Sequence, residues 1–161
     1  MIQRIQTLFL LIALVASAFF IDADLWTGTF TGADGVTTVN LTTKSVSVNS
    51  AKSGGEVTDS LIDFLLYFNV LALIIILISA FMFKQRLRQV GVVVLAAILE
   101  LIIAGLSGYL IFKYRGNYVG SLAESWGWGI LFPLASFVAL ILATRFIMKD
   151  HNKVRNINRF R

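Results

Sequence analysis

The chain has no cysteine and a single histidine, His151. The first absence excludes disulfides, thiolate metal sites and cysteine nucleophiles. The second leaves too few imidazoles for a histidine-based metal site within one chain. Proline is also nearly absent: Pro133 stands alone, close to the start of an apolar run, where it can begin or kink a helix at little cost. Charge is scarce as well. Charged residues make up 14% of the 161 residues, against roughly 25% in a soluble domain.

The missing charge is missing from four long apolar runs, residues 5–21, 61–83, 90–112 and 129–148. Each is near the ~20 residues that a helix needs to cross a bilayer. Helices are expected because lipid offers backbone groups no partner outside their own segment. A β-barrel would show short alternating segments, and these runs do not alternate. The fold expected is an all-α transmembrane four-helix bundle, a single membrane domain over residues 1–161. Arg4, the apolar run and Ala16-Ser17-Ala18 resemble a secretory signal with its cleavage site. The run continues through Phe19, Phe20 and Ile21, however, which favours a retained helix.

The net charge of +5 raises nucleic acid as a partner, but its placement beside the spans points to lipid headgroups and topology. Arg4, Lys84, Arg86, Arg88, Lys149, Lys153, Arg155, Arg159 and Arg161 fall on one side of the bilayer, and Lys44, Lys52, Lys113 and Arg115 on the other. Counting positive charge makes the richer side cytoplasmic, with both termini inside and residues 22–60 and 113–128 outside. Trp26, Trp126, Trp128, Tyr109, Tyr114 and Tyr118 lie near the outer ends of the spans, as headgroup-layer aromatics do.

Residues 22–60 are too polar for lipid and too long for a bare link. Segments 25–31 and 36–42 are rich in β-formers and flank Gly32-Ala33-Asp34-Gly35, which predicts a hairpin turning at Asp34-Gly35. Trp26, Gly28 and Phe30 then share one face. Residues 44–48 supply a third strand with Val46 and Val48 on one face, and residues 50–55 read as a flexible connector. So few strands seldom stand alone, and the small extracytoplasmic sheet is expected to lie as a lid on the helix ends. Asn40-Leu41-Thr42 matches a glycosylation sequon of low specificity.

Glu100 requires an explanation. It lies about 15 Å into the third span at 1.5 Å per residue, where a charge costs at least ~2.5 kcal/mol. Ala97, Ala104 and Gly108 follow the same stripe, and Ala104-x-x-x-Gly108 is a small-residue pattern that admits a neighbouring helix. Candidate partners for the carboxyl are Arg145, Ser79, Gln6 and Thr7. Glu100 is then either a structural hydrogen-bonded acid or a proton or cation site. Asn69 reads as interhelical glue, and Asp63 as a charge favoured by the helix dipole in the first turn of the second span. In the tail, residues 149–161, Val154, Ile157 and Phe160 recur among Lys153, Arg155, Arg159 and Arg161, predicting a short amphipathic helix on the inner leaflet.

The two ends of the chain carry a resemblance. Met1-Ile2-Gln3-Arg4-Ile5-Gln6-Thr7 before a Leu-rich span is one part. Phe132-Pro133-Leu134, a final span, Lys149-Asp150 and a Val154-Arg155 to Asn158-Arg159-Phe160-Arg161 close are the other. This is similar to domain-of-unknown-function family 4293, small bacterial four-helix membrane proteins. The family's close is typically Val-Arg-Ser-Leu-Asp-Arg-Leu-Arg, and this chain departs from it at Asn156, Ile157, Asn158 and Phe160. The resemblance implies an inner-membrane location and assigns no catalytic, cofactor or metal residues.

The function expected is that of a non-enzymatic accessory or assembly subunit, with the lipid bilayer and another integral membrane protein as partners and no nucleic acid. The alternative is a small transporter or channel component working through Glu100. A membrane enzyme would need a cluster of polar residues at one depth, and the sequence displays none.

Overall fold

The computed structural model describes residues 2–32, 35–50, 54–57, 59–83, 85–117 and 121–159. Its elements are helix α1 (Ile2–Phe20), strands β1 (Asp24–Gly32), β2 (Gly35–Thr42), β3 (Val46–Ser50) and β4 (Gly54–Val57), helices α2 (Ser60–Phe81) and α3 (Arg86–Asn117), strand β5 (Ser121–Trp126), a 3-10 turn (Trp128–Ile130) and helix α4 (Leu131–Arg159).

The helices follow from hydropathy. Three are long and apolar enough to cross a membrane: Ser60–Phe81, Arg86–Gly116 and Trp128–Asn152. A shorter apolar helix covers Ile5–Phe20. α2 shows the pattern: Ile62, Leu65, Asn69, Ala72, Ile76 and Ser79 recur every three or four residues and are buried. Leu71, Ile74 and Ile78 point outward and are exposed, as are Leu95, Ile98 and Leu101 on α3. α1 packs against α2 and α4, and α3 packs against the same two helices. α3 and α4 outrun their apolar runs. At 1.5 Å per residue α3 is about 48 Å long, well beyond the ~30 Å of a hydrocarbon core. α4 runs without a break through Arg159, so the basic tail continues its helix instead of forming a separate one across the membrane surface. The side chains of Lys153, Arg155 and Arg159, and all of Arg161, lie outside the described residues, as does Tyr118.

The sheet is antiparallel and five-stranded, in the order β4-β3-β2-β1-β5. β1 and β2 form the expected hairpin, but Gly35 pairs with Gly32 and so belongs to β2 rather than to the turn; Ala33 and Asp34 lie outside the described residues. Gly35 has φ 108°, a conformation that glycine adopts without the clash a Cβ would cause. β3 pairs with β2 as its valines suggested, Val39 opposite Val48 and Leu41 opposite Val46. Two strands depart from expectation. Residues 54–57, read as connector, pair with β3 as β4. β5 comes from the second loop, residues 113–128, and pairs with β1 from Phe30 opposite Ser121 to Trp26 opposite Trp126. The sheet is therefore built from both long loops rather than from the first alone.

Strand alternation gives the sheet one apolar face. Trp26, Phe30, Val39, Leu41 and Val46 are buried there, in one cluster with Phe20, Ile62, Leu65, Leu110, Ile111 and Tyr114 of the helices. Trp26 is fully buried and so is core rather than a headgroup-layer ring; Trp126 and Trp128 are the exposed ones. A Cβ on Gly28 would collide with the rings of Trp26 and Phe30, which close over it. One on Gly127 would strike the Asp24 carbonyl, so glycine allows β5 and β1 to meet where Gly127 N donates to Leu25 O.

Ionic ties fasten the same end. Asp59 caps α2, accepting from Leu61 N at 3.2 Å. It also accepts from Lys113 Nζ at 2.6 Å and Tyr114 Oη at 2.9 Å, both on the last turns of α3. The Lys113 hydrogen bond, aided by those from Leu61 and Tyr114 and opposed by burial, holds the Asp59 carboxyl below its ordinary value. Arg115 pairs with Glu124 of β5 at 3.2 Å. Asp63 does sit in the first turn of α2, but the capping acid is Asp59.

Candidate functional site

A second apolar cluster fills the half of the helices away from the sheet: Leu10, Ala13, Ile76, Val93, Ala96, Ala97, Ala139, Leu140, Ala143 and Ile147. Its alanines let helix backbones approach closely. Where the two clusters meet, each helix contributes one buried polar side chain: Ser17 from α1, Asn69 from α2, Glu100 from α3 and Ser136 from α4. All four have zero solvent exposure.

These side chains bond to one another across helices. Ser136 Oγ donates to Glu100 Oε1 at 2.9 Å. Asn69 Nδ2 donates to Ser17 Oγ at 3.0 Å. Ser17 is also a hydrogen-bonding neighbour of the Glu100 carboxyl, so the four residues form one polar layer. Two acceptors in it have no hydrogen-bond partner among the described residues, Glu100 Oε2 and Asn69 Oδ1. Other helix hydroxyls behave differently. Ser107 and Thr144 donate to carbonyls one turn back on their own helices, the usual outlet for such groups.

Glu100 thus faces protein, but not the partners proposed from the sequence. Arg145 lies on the exposed face of α4. Ser79 donates to Ile76 O, and Gln6 donates to Phe146 O, both nearer the end of the helices away from the sheet. The packing face of α3 is also rotated from expectation. Gln89, Val93, Ala96, Ala97, Glu100, Ile103, Ser107, Leu110, Ile111 and Tyr114 are its buried residues, while Ala104 and Gly108 are only half-buried. A Cβ built on Gly108 would meet nothing within 4 Å, so no helix backbone approaches there. Ala97 holds its place in the core and Asn69 joins α2 to α1.

Ser17 and Ser136 were not singled out by sequence reasoning. Ser17 sat inside the cleavage-like Ala16-Ser17-Ala18, and serine is common in membrane helices. A positional signal exists. Leu10, Ala13 and Ser17 share a stripe on α1, as Ser136, Ala139, Leu140 and Ala143 do on α4.

Chemically, the layer offers one carboxyl, one amide and two hydroxyls, sealed from solvent between helices. A buried polar network of this kind fixes helix register and rotation. It contains no imidazole, thiol or amine. A comparison with curated proteins returns no match. Residues 2–160, nearly the whole chain, match the model of a family described as Domain of unknown function (DUF4293). The chain belongs to this family.

Proposed function

We propose that the protein is a multi-pass integral membrane protein of the bacterial inner membrane and a non-enzymatic accessory or assembly subunit of a larger membrane complex. In this reading α1 crosses the bilayer with the other three helices, completing a four-helix bundle. The sheet lies outside the membrane, and both termini lie in the cytoplasm beside the basic residues. The apolar outward faces of α2 and α3 support the membrane setting, because surfaces so uniformly apolar suit lipid or another protein's helices.

The observation that carries the subunit reading is how the chemically active side chains are used. Asp59, Lys113 and Tyr114 are committed to one tie, Arg115 and Glu124 to another, and Arg86 and Asp150 to a third. The central layer is sealed at zero exposure. A second reading, a small transporter or channel component, is favoured by the unpartnered Oε2 of Glu100 alone.

An affinity-tagged chain expressed at native level, gently solubilised and weighed as a particle, separates them. A stoichiometric foreign membrane protein is the expected result. A symmetric homo-oligomer with a wet interior would favour transport. A monodisperse monomer with nothing copurifying, in cells where deletion has a phenotype, overturns the subunit reading. Orientation is tested independently, since the chain lacks cysteine. With an impermeant thiol reagent on intact cells, Asp34→Cys should label and Asn156→Cys should not.

A further inference from the structure

The hydrogen inventory of the central layer does not close with an ionised Glu100. A carboxylate only accepts, whereas Asn offers one acceptor and two donor hydrogens, and each serine one donor hydrogen. Ser136 and Ser17 both turn their hydrogens toward the carboxyl, Ser136 onto Oε1, and Asn69 spends one of its own on Ser17 Oγ. Oε2 and Asn69 Oδ1 are still without a hydrogen-bond partner among the described residues, and both residues are fully buried. Among the described residues no cation pairs with either. The groups that reach Glu100 from the packed helices are Ser136 and Ser17, with Asn69 behind Ser17, all neutral. Arg145 points away, and Arg86 is held by Asp150 at 2.9 Å near the chain's end. An unpaired carboxylate in such a place carries a desolvation cost that nothing nearby offsets.

One hydrogen repairs the inventory. We propose that the layer is a binding site for a single proton, carried on Glu100 Oε2 and shared toward Asn69 Oδ1, so that the core of the protein holds a neutral carboxylic acid. The proton turns one orphan acceptor into a donor and supplies the other with a partner, directly or through one water. A metal cation fits the same place less well. It would need several oxygens at once, and the Ser136 hydroxyl hydrogen and the Asn69 amide hydrogen already occupy Oε1 and Ser17 Oγ. The site is independent of whether the protein serves as a subunit, and its test does not depend on any partner.

Infrared difference spectra of the full chain in lipid, wild type minus Glu100→Gln, read the protonation state directly. At neutral pH the expected result is a protonated-carboxyl carbonyl band present in the wild type and lost in the variant. Carboxylate bands alone would overturn the proposal. So would a protonated band replaced by carboxylate bands when sodium is added at constant pH, since the site would then be one for a metal cation. If Glu100→Gln fails to fold, isotope labelling replaces it. The chain has three glutamates, Glu56, Glu100 and Glu124. Carbon-13 glutamate in a Glu56→Gln, Glu124→Gln chain labels Glu100 alone without touching the layer. A protonated band that moves with the label supports the site, and a labelled carboxylate band overturns it.

Discussion

The two ends of the helices are closed by different means. At the sheet end, strands from both long loops pair across β1, and the Asp59–Lys113 and Arg115–Glu124 ties bind helix ends to one another and to β5. A shallow hollow of about 290 Å³ between Asp24, Trp126, Trp128 and Phe132 is left there. At the other end, small residues bring the helices together, and two hollows lie among the described residues. One of about 450 Å³ is lined by Gln85, Arg86, Leu87, Arg88 and His151. The second, of about 280 Å³, lies among Gln6, Thr7, Ala80, Phe83 and Gln89. In the membrane setting proposed above, the difference is one of solvent. Where water meets the protein, burying apolar surface drives closure. Where lipid surrounds it, association rests on close packing and on a few polar bonds such as Gln89 Nε2 to Ser79 O at 3.0 Å.

The largest effect should come from deleting core at the sheet end. Trp26→Ala is expected to cost ~3–5 kcal/mol, the usual range for a large aromatic lost from a packed core. Ile147→Ala, equally buried but in the half proposed to lie in lipid, forfeits packing contacts alone and should cost clearly less. Denaturant titration of both variants in one detergent tests this; equal losses would erase the contrast between the ends.

Asp59→Ala comes next, at about 1–2 kcal/mol for the lost cap alone, with Lys113 stranded beside it. Because the folded carboxyl titrates below its ordinary value, its stabilising contribution is complete above the unfolded value of about 3.9 and fades as pH falls through the folded value. Acid should therefore loosen the first turn of α2 below roughly pH 4, read as faster amide exchange there. Asp59→Asn should remove that pH dependence.

The central layer belongs to neither end. Glu100→Leu leaves Ser136 and Ser17 without their acceptor and should cost about 1–2 kcal/mol, the scale of interhelical hydrogen bonds in membranes. Glu100→Gln should be nearly neutral, by the same titration. The smallest effect is expected for Arg86→Ala, which breaks a partly exposed pair with Asp150 and should cost no more than about 1 kcal/mol.

The contrast between the ends also explains what could be read from the residues. A helix in lipid must satisfy its surroundings residue by residue, so apolar runs announced α2, α3 and α4 with little help from tertiary structure. β1 and β2 were legible because alternating β-formers flank a glycine-bounded turn. β4 and β5 were not. Gly54-Gly55 and Ser121 to Glu124 have little β preference of their own, and each is a strand because a neighbouring edge offers it unpaired N–H and C=O groups. The site divides similarly. Glu100 was conspicuous because its cost in lipid is intrinsic. Ser17 and Ser136 matter only through what they face, and Arg145 seemed a partner only until the rotation of α4 was known.

The pairing of β5 with β1 has a consequence for how the chain is made. β1 leaves the ribosome with one edge ready for β2, while the partner for its other edge is encoded about ninety residues later. At ordinary synthesis rates that is a wait of roughly 5–20 s. During the interval an N-terminal fragment ending before α3 carries an unsatisfied strand edge, together with an Asp59 that lacks Lys113. Two separately synthesised halves, divided near Lys84, should accordingly seek each other out, each supplying what the other cannot complete.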